Sequence, residues 1–455
     1  MSRPPVHQLT QGDPVAHLKR MTWPLLLAMV LLTSFNFVDA YFVSLLGTEE
    51  LAAFSYTFPV TFTLFSMVIG LGIGTSAMVA TALGRGRAAR ARAAGGTALA
   101  LSALLVLVIS VPVWLGHDAI FRLLGADEAM RKLTDDYMSV WLMGAIFVAF
   151  PMVGNAVMRA NGNTRGPSLV MAASAFTNAA LDPLFIFGWG PFPALGLAGA
   201  AWATVIAYGL SSLLILYMLL VRMKALGWYR RRRAQVLAAR QLLAVAAPAA
   251  GANMLTPMAM AAMTAIVAQY GDAAVAALGV GTRLESLATL VILTLSMSLP
   301  PLISQNAAAG QMARVQHLYR SVIRFILIWQ GGIYLALWAL SGQLAALFAQ
   351  DAEVAQSLGL LIAILPLSWG PQGVVILTNS SFNALRRPMN ALTLSIIRLF
   401  VTYLPLAWIG GKLAGLPGVF SGVVVANLVT AIIAWRWLDR CLHHPTAPLP
   451  SPSKR

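Results

Sequence analysis

Long apolar stretches separated by short polar breaks recur from Trp23 to Trp437. A helix that crosses a bilayer takes about 20 apolar residues, whereas a barrel strand takes about 9–11 with strict alternation. The stretches are too long for strands and do not alternate. They predict twelve spans, at 21–46, 51–83, 93–115, 132–157, 167–188, 196–221, 241–269, 273–303, 315–340, 354–380, 388–410 and 414–438. Several exceed 20 residues and are expected to tilt or to extend past the hydrocarbon. Internal prolines and glycines do not argue against helix, because neighbouring helices or waters can satisfy the freed backbone groups.

Composition narrows the class. The 455-residue chain is 59% hydrophobic and only 10% charged, with a mean hydropathy of +0.76. A soluble domain has roughly 45–50% apolar and about 25% charged residues. An ordinary soluble enzyme, a disordered chain and a secreted disulfide scaffold are therefore poor readings. The single cysteine, Cys441, permits no intrachain disulfide and no thiolate-built zinc or iron–sulfur site. His7, His17, His117, His317, His443 and His444 fall in predicted tails, loops or segment ends and read as surface residues. The opening MSRPPVHQLTQGDP lacks the apolar core and cleavage site of a signal peptide and is expected to remain as a polar tail. The closing HHPTAPLPSPSKR is expected to be a disordered tail.

The net charge of +16 has a topological explanation. Basic residues collect in alternate connections: Lys19 and Arg20; Arg85, Arg87, Arg90 and Arg92; Arg159 and Arg165; Arg222 to Arg240; Arg314, Arg320 and Arg324; Arg386 and Arg387; Arg436 and Arg440. The opposite connections carry mostly acids, among them Glu49, Glu50, Asp118, Asp127, Glu128, Asp272, Asp351 and Glu353. The positive-inside rule then places both termini in the cytoplasm, with the protein in the cytoplasmic (inner) membrane. The bases sit beside apolar spans, which suits anionic lipid and not nucleic acid.

The chain also matches itself at an offset of about 224 residues. Pro24 falls against Pro248, Gly47 against Gly271, Gly86 against Gly310 and Asn155 against Asn379. After small shortenings Pro167 falls against Pro388, and Gly196 and Gly199 against Gly415 and Gly418. The expected organisation is a cytoplasmic tail (1–20), a six-helix lobe (21–221), a basic linker (222–240), a second six-helix lobe (241–438) and a cytoplasmic tail (439–455). Equal, even halves keep one orientation, so the repeat axis runs along the membrane normal, and two bundles facing a cleft suggest alternating access.

Three acids lie well inside apolar spans: Asp39 in FNFVDAYFV, Asp182 in FTNAALDPLF, and Glu285. An intramembrane carboxyl faces a bundle interior or an aqueous path. Asn36 and Asp39 are three residues apart, and Asn178 and Asp182 four apart, so each pair shares a helical face. Pro183 removes a donor beside Asp182. Ion coupling is the preferred reading for the two aspartates, with helix–helix polar contact as the alternative. Glu285 is read first as half of a charge pair, although Arg283, two residues away, does not share its face. Arg398 either snorkels or pairs with Glu285. Methionine clusters (Met254, Met258, Met260, Met263) and aromatics such as Phe35, Phe54, Phe65, Tyr137 and Phe150 are either packing or an adaptable pocket wall. No serine-hydrolase elbow, zinc-protease motif, calcium loop or nucleotide phosphate loop occurs, and GLGIGTS reads as close helix packing. No enzyme activity, cofactor or resident metal is expected.

Pro24 with FVDAYFV, then MRANGNTRGP, TNAALDPLFIFG, GLAGAAWAT, the GxxTRLE stretch around Arg283 and Glu285, and PLISQNAAAG carry a resemblance over residues 14–440. In that order and spacing the chain resembles the multidrug and toxic compound extrusion (MATE) family, and more narrowly its DinF-like prokaryotic branch. The resemblance implies an all-α integral membrane protein, a V-shaped antiporter of two six-helix lobes. It implies export of organic cations or amphipathic drugs in exchange for protons or sodium ions, by a monomer. It maps ion coupling onto Asp39, Asp182, Asn178 and Asn155, with Na+ at Asp39, Asp182 and Asn178 as the alternative to a proton. Tyr137, Asn36, Phe35, Met158, Glu285 and Arg283 become substrate or network candidates, and Pro24 the bend of the first helix. Ala200 stands where a hydroxyl would enlarge the network. The carboxylates of the NorM-like branch are absent from the seventh and tenth spans, so proton coupling leads. Two other readings stay open: a flippase of lipid-linked saccharides, and a membrane scaffold without transport.

Overall fold

A computed structural model describes residues 9–123, 125–190, 193–348 and 352–443. Every regular element among them is a helix. The chain divides into two compact units, one ending at Gly251 and the other starting at Ala252. The boundary falls inside a helix, beyond the basic linker.

The first unit holds α1 (Pro14–Ser44), α2 (Thr48–Gly84), α3 (Ala88–Leu123), α4 (Glu128–Gly144), α5 (Ile146–Ala160), α6 (Arg165–Ile186) and α7 (Leu197–Tyr217), with the start of α8 (Arg232–Ala268). The expected polar tail is shorter than residues 1–20. Asp13 caps α1 by accepting from the backbone nitrogens of Val15 and Ala16 (3.0 and 3.2 Å), and Pro14 fits the first helical turn. The span expected at 132–157 is two helices bent by 50°. Gly144, at the bend, is packed against the Val205 side chain. The linker is also shorter than expected: α8 is helical from Arg232, and Gly227 N donates to Arg92 O at 3.0 Å. The middle of α2 is closed by α8, where Gly70 meets Ala246 and Ala250, and Gly74 meets Leu242.

The second unit holds the rest of α8, α9 (Asp272–Ala288), α10 (Leu290–Ala308), α11 (Met312–Ala339), the short α12 (Ser341–Phe348), α13 (Ala352–Ile364), α14 (Trp369–Ala384), α15 (Pro388–Ile396) and α16 (Leu404–His443). The span expected at 273–303 is broken between α9 and α10. The Thr289 hydroxyl there donates back to Glu285 O at 2.7 Å, a contact that bends helices. The span at 354–380 contains a 3₁₀ turn, Leu365–Ser368, around Pro366, which has no N–H for the helical ladder. A π-helical turn, Ile397–Tyr403, joins α15 to α16.

Among the described residues ten helices, counting the run Pro388–His443 once, are long and apolar enough to cross a membrane, and the bent α4–α5 pair makes an eleventh crossing. The Pro388–His443 run has 56 residues. As one rod it would be about 84 Å long, nearly three times the hydrocarbon thickness. It breaks at Ala414 and at Gly415, whose φ of +65° suits glycine. The chain then folds back so closely that a Cβ on Gly410 would collide with the Gly418 carbonyl. The run is a helical hairpin, which restores twelve crossings. Large apolar side chains such as Trp23, Leu115, Leu213, Ile328 and Leu413 are exposed, as expected of a chain that lies in lipid.

Two glycine substitutions should differ in sign. Gly410→Ala is expected to destabilise the protein by about 1–3 kcal/mol, because the backbone of the hairpin must part. Gly279→Ala, in α9 with open space around the new methyl, should gain about 0.5–1 kcal/mol. Thermal unfolding in lipid nanodiscs checks both.

Candidate functional site

The first unit carries its two intramembrane acids, Asp39 and Asp182, on α1 and α6, which pack together with α7 alongside. On α1, Phe35, Asp39 and Phe42 follow one face at spacings of four and three. Phe35 meets Phe176 edge-on (4.8 Å between centroids) and Phe42 meets Phe187 (6.1 Å), so this face lies on α6. Asp39 lies between those contacts. On α6, Asp182 is fully buried. Pro183 follows it and cannot donate to the carbonyl of Ala179, one turn back. Gly199 lets α7 approach the end of α6, since a Cβ there would strike the Phe185 carbonyl.

The carboxyls of Asp39 and Asp182 lie within electrostatic reach of each other. Ionised carboxylates are acceptors only, so the two aspartates cannot satisfy each other when both are charged. Neither is ion-paired among the described residues. Asn178 Nδ2 donates to Asp182 Oδ1 (3.4 Å) and to Thr204 Oγ1 (3.3 Å). Both bonds are longer than the usual 2.9–3.0 Å or so. Asp39 Oδ1, Asp182 Oδ2 and Asn155 Oδ1 are buried with no partner. The cluster thus has spare acceptor capacity and no base to neutralise two negative charges. A pair of this kind is chemically suited to a proton or a small cation.

The sequence candidates divide. Asp39, Asp182 and Asn178 form one unit. Tyr137 is buried, meets Phe54 edge-on at 5.4 Å, and lies within electrostatic reach of both aspartates. Asn155 is buried but makes no hydrogen bond to the pair. Met158 is fully buried in the core, against Gly166. The side chain of Asn36 lies outside the described residues. Pro24 sits inside α1, which continues through it. Thr204 and Tyr208 were not singled out from sequence. Thr204 is the last residue of GLAGAAWAT, one helical turn beyond Ala200, and supplies the hydroxyl that Ala200 lacks.

Glu285 is not paired as expected. Arg283 is exposed, and Gln372 Nε2 donates to Glu285 Oε1 at 2.8 Å. Nor does Arg398 form an ion pair within 4.0 Å. Its Nε donates to Asn427 Oδ1 at 3.3 Å. Gln372 and Asn427 come from α14 and α16, far from Glu285 and Arg398 in sequence. Among the described residues no group of three or more His, Cys, Asp or Glu could hold a metal ion.

Comparison with known proteins follows the duplication. The MatE family profile matches twice, at residues 24–184 and 248–409. The two matches begin 224 residues apart (248 against 24), the offset of the self-match. An FAD transporter of Shewanella oneidensis strain MR-1 is 37% identical over 427 residues, covering 93% of this chain and 94% of that protein. The probable multidrug resistance protein YpnP of Bacillus subtilis strain 168 is 25% identical over 416 residues, covering 90% and 92%. The crystal structure of the Vibrio cholerae MATE transporter VcmN in the bent form superposes with a TM-score of 0.89 at 33% identity, covering 94% of this chain and 97% of that one.

Thr204→Val is expected to cost about 1 kcal/mol, because it removes one of the two acceptors of the Asn178 amide. Thr204→Ser keeps the acceptor and should unfold close to the wild-type temperature. Thermal unfolding of the two variants side by side gives the answer.

Proposed function

Because the chain belongs to the MatE family, we propose that it is an efflux transporter of the inner membrane that expels bulky amphipathic organic compounds in exchange for protons. It is a multi-pass membrane transporter and not an enzyme. The observation that carries the coupling is the Asp39–Asp182 pair, two carboxyls within electrostatic reach of each other, each with a buried oxygen lacking a partner, and with no ion pair among the described residues. The relatives named for multidrug resistance support the substrate class.

The unit works as a proton carrier. A proton arriving from outside leaves the pair with one negative charge or none, and its hydrogen bonds to Asn178 rearrange. In α1, Pro24 leaves the carbonyl of Arg20 without its ladder donor, so the helix bends there at low cost. Loss of the proton to the cytoplasm restores the charge and resets α1. The alternating basic connections support cytoplasmic termini. With Nδ2 turned to the pair, the Asn178 amide supports the proton reading. A carboxylate beside the amide accepts from its Nδ2, and that N–H group cannot ligate a cation.

A second reading concerns the substrate alone. The FAD transporter of Shewanella is more similar to this chain than YpnP is. That supports an aromatic, phosphate-bearing dinucleotide as cargo of the same proton-driven cycle.

One proton moving inward across 100 mV releases about 2.3 kcal/mol, enough to sustain about a fiftyfold gradient of an uncharged substrate. Asp39→Asn and Asp182→Asn should each collapse that gradient toward unity while the protein stays folded. The assay is a reconstituted vesicle in which substrate flux and lumenal pH are recorded together. Accumulation under a sodium gradient alone, without proton movement, would replace the proton with sodium. Orientation is checked in a Cys441→Ser background: a cysteine replacing Arg90 should resist impermeant thiol reagent in intact cells.

A further inference from the structure

The proton cycle leaves two intramembrane charges unused, Glu285 and Arg398, and Arg398 is the cation. It stands in the apolar run SIIRLFV, where a guanidinium costs at least about 2.5 kcal/mol to insert. Its neighbours come from inside the second unit: Glu285 of α9 and Tyr403 lie in electrostatic reach, and Asn427 of α16 takes its Nε–H. Arg398 lies in the π-helical turn Ile397–Tyr403, a distortion often found at functional sites. The Thr402 hydroxyl donates to the Arg398 carbonyl at 2.8 Å and meets the Thr430 hydroxyl at 2.9 Å, which ties the turn to α16.

We infer that Arg398, with the Asn427 amide beside it, is the anchor for the phosphate groups of an aromatic dinucleotide cargo; the inference rests on the second reading above. A structural ion pair with Glu285 is the plain alternative. It does not form within 4.0 Å, and Glu285 accepts from Gln372 instead. Arginine is donor-only. Asn427 must therefore present Oδ1 to it, which strands Nδ2, a fully buried group with no partner. The two Nη groups make no hydrogen bond among the described residues, and Arg398 is partly exposed. The site thus gathers N–H donors and lacks an acceptor to fill them. A planar fork of free donors on a partly exposed guanidinium, held at its Nε by Asn427, fits a phosphate, which accepts two parallel bonds from it. Glu285 stands near enough to balance the charge while the anchor is empty and to oppose an anion that enters.

The test is direct binding to the purified full chain in nanodiscs, followed by flavin fluorescence. The probes are FAD, riboflavin (the same ring without phosphate) and a cationic dye. Wild type should bind FAD more tightly than riboflavin. Arg398→Gln should weaken FAD at least about tenfold and leave riboflavin and the dye unchanged. Glu285→Gln should tighten FAD several-fold by removing the opposing charge. Should Arg398→Gln not fold, Arg398→Lys and Glu285→Gln carry the test: the lysine, lacking the fork, should weaken FAD while sparing riboflavin. FAD binding by wild type that is indifferent to Arg398 substitution and to Glu285→Gln overturns the anchor and leaves the dinucleotide reading standing. Dye binding without FAD binding by wild type overturns that reading, and the anchor with it.

Discussion

Two carboxyls held together in hydrocarbon, without a base, set the conditions for the rest of the first unit. Charge repulsion at such close range is strong in a poorly polarisable medium, and only a bound cation or proton relieves it. The scaffold must therefore be rigid enough to keep Asp39 and Asp182 together and compliant enough to respond when the cation leaves. Rigidity comes from the interlocked faces of α1, α6 and α7, with Phe35 and Phe42 on either side of Asp39. Compliance comes from proline. Pro24 and Pro183 each remove one rung of a helical ladder in the two helices that carry the acids.

Duplication supplied the scaffold twice but the acid pair once. At the offset of 224, Asp39 falls against Met263; at the offset of 221 set by Pro167 and Pro388, Asp182 falls against Tyr403. The second unit keeps the helices and loses both acids. Its intramembrane charges, Glu285 and Arg398, stand at positions with no charged counterpart in the first. The two repeats thus carry opposite chemistry, a pair of acids in one and a donor-rich guanidinium in the other.

Most of the fold was legible in the chain because lipid imposes a simple rule: a span must be long, apolar and internally hydrogen-bonded. The breaks within spans were less legible. The bend between α4 and α5 and the break at Thr289 arise where a side chain or a neighbouring helix perturbs the ladder, and hydropathy averages over them. Within the site, Asn178 and Asp182 could be joined from sequence because they are four residues apart on one helix. Thr204, Gln372 and Asn427 could not, since each reaches its partner from another helix. The signal for Thr204 was present in GLAGAAWAT, one turn past the alanine that had attracted attention. Glu285 illustrates the same limit: its sequence context suggests a charge pair, but its hydrogen bond comes from Gln372 on another helix.

The closure of α2 by the start of α8 has a consequence for biosynthesis. The glycine face at Gly70 and Gly74 is covered by Leu242, Ala246 and Ala250, residues that follow the basic linker. The first six crossings can be inserted before that cover exists. Between Arg222 and Ala250 lie 28 residues of further synthesis (250 minus 222), roughly 1–6 s at 5–20 residues per second. During that interval the nascent first unit carries an open seam of small residues in the bilayer, the kind of surface on which membrane helices pair. The second repeat is therefore needed to finish the first, and a chain halted at the linker would be inserted yet unsealed.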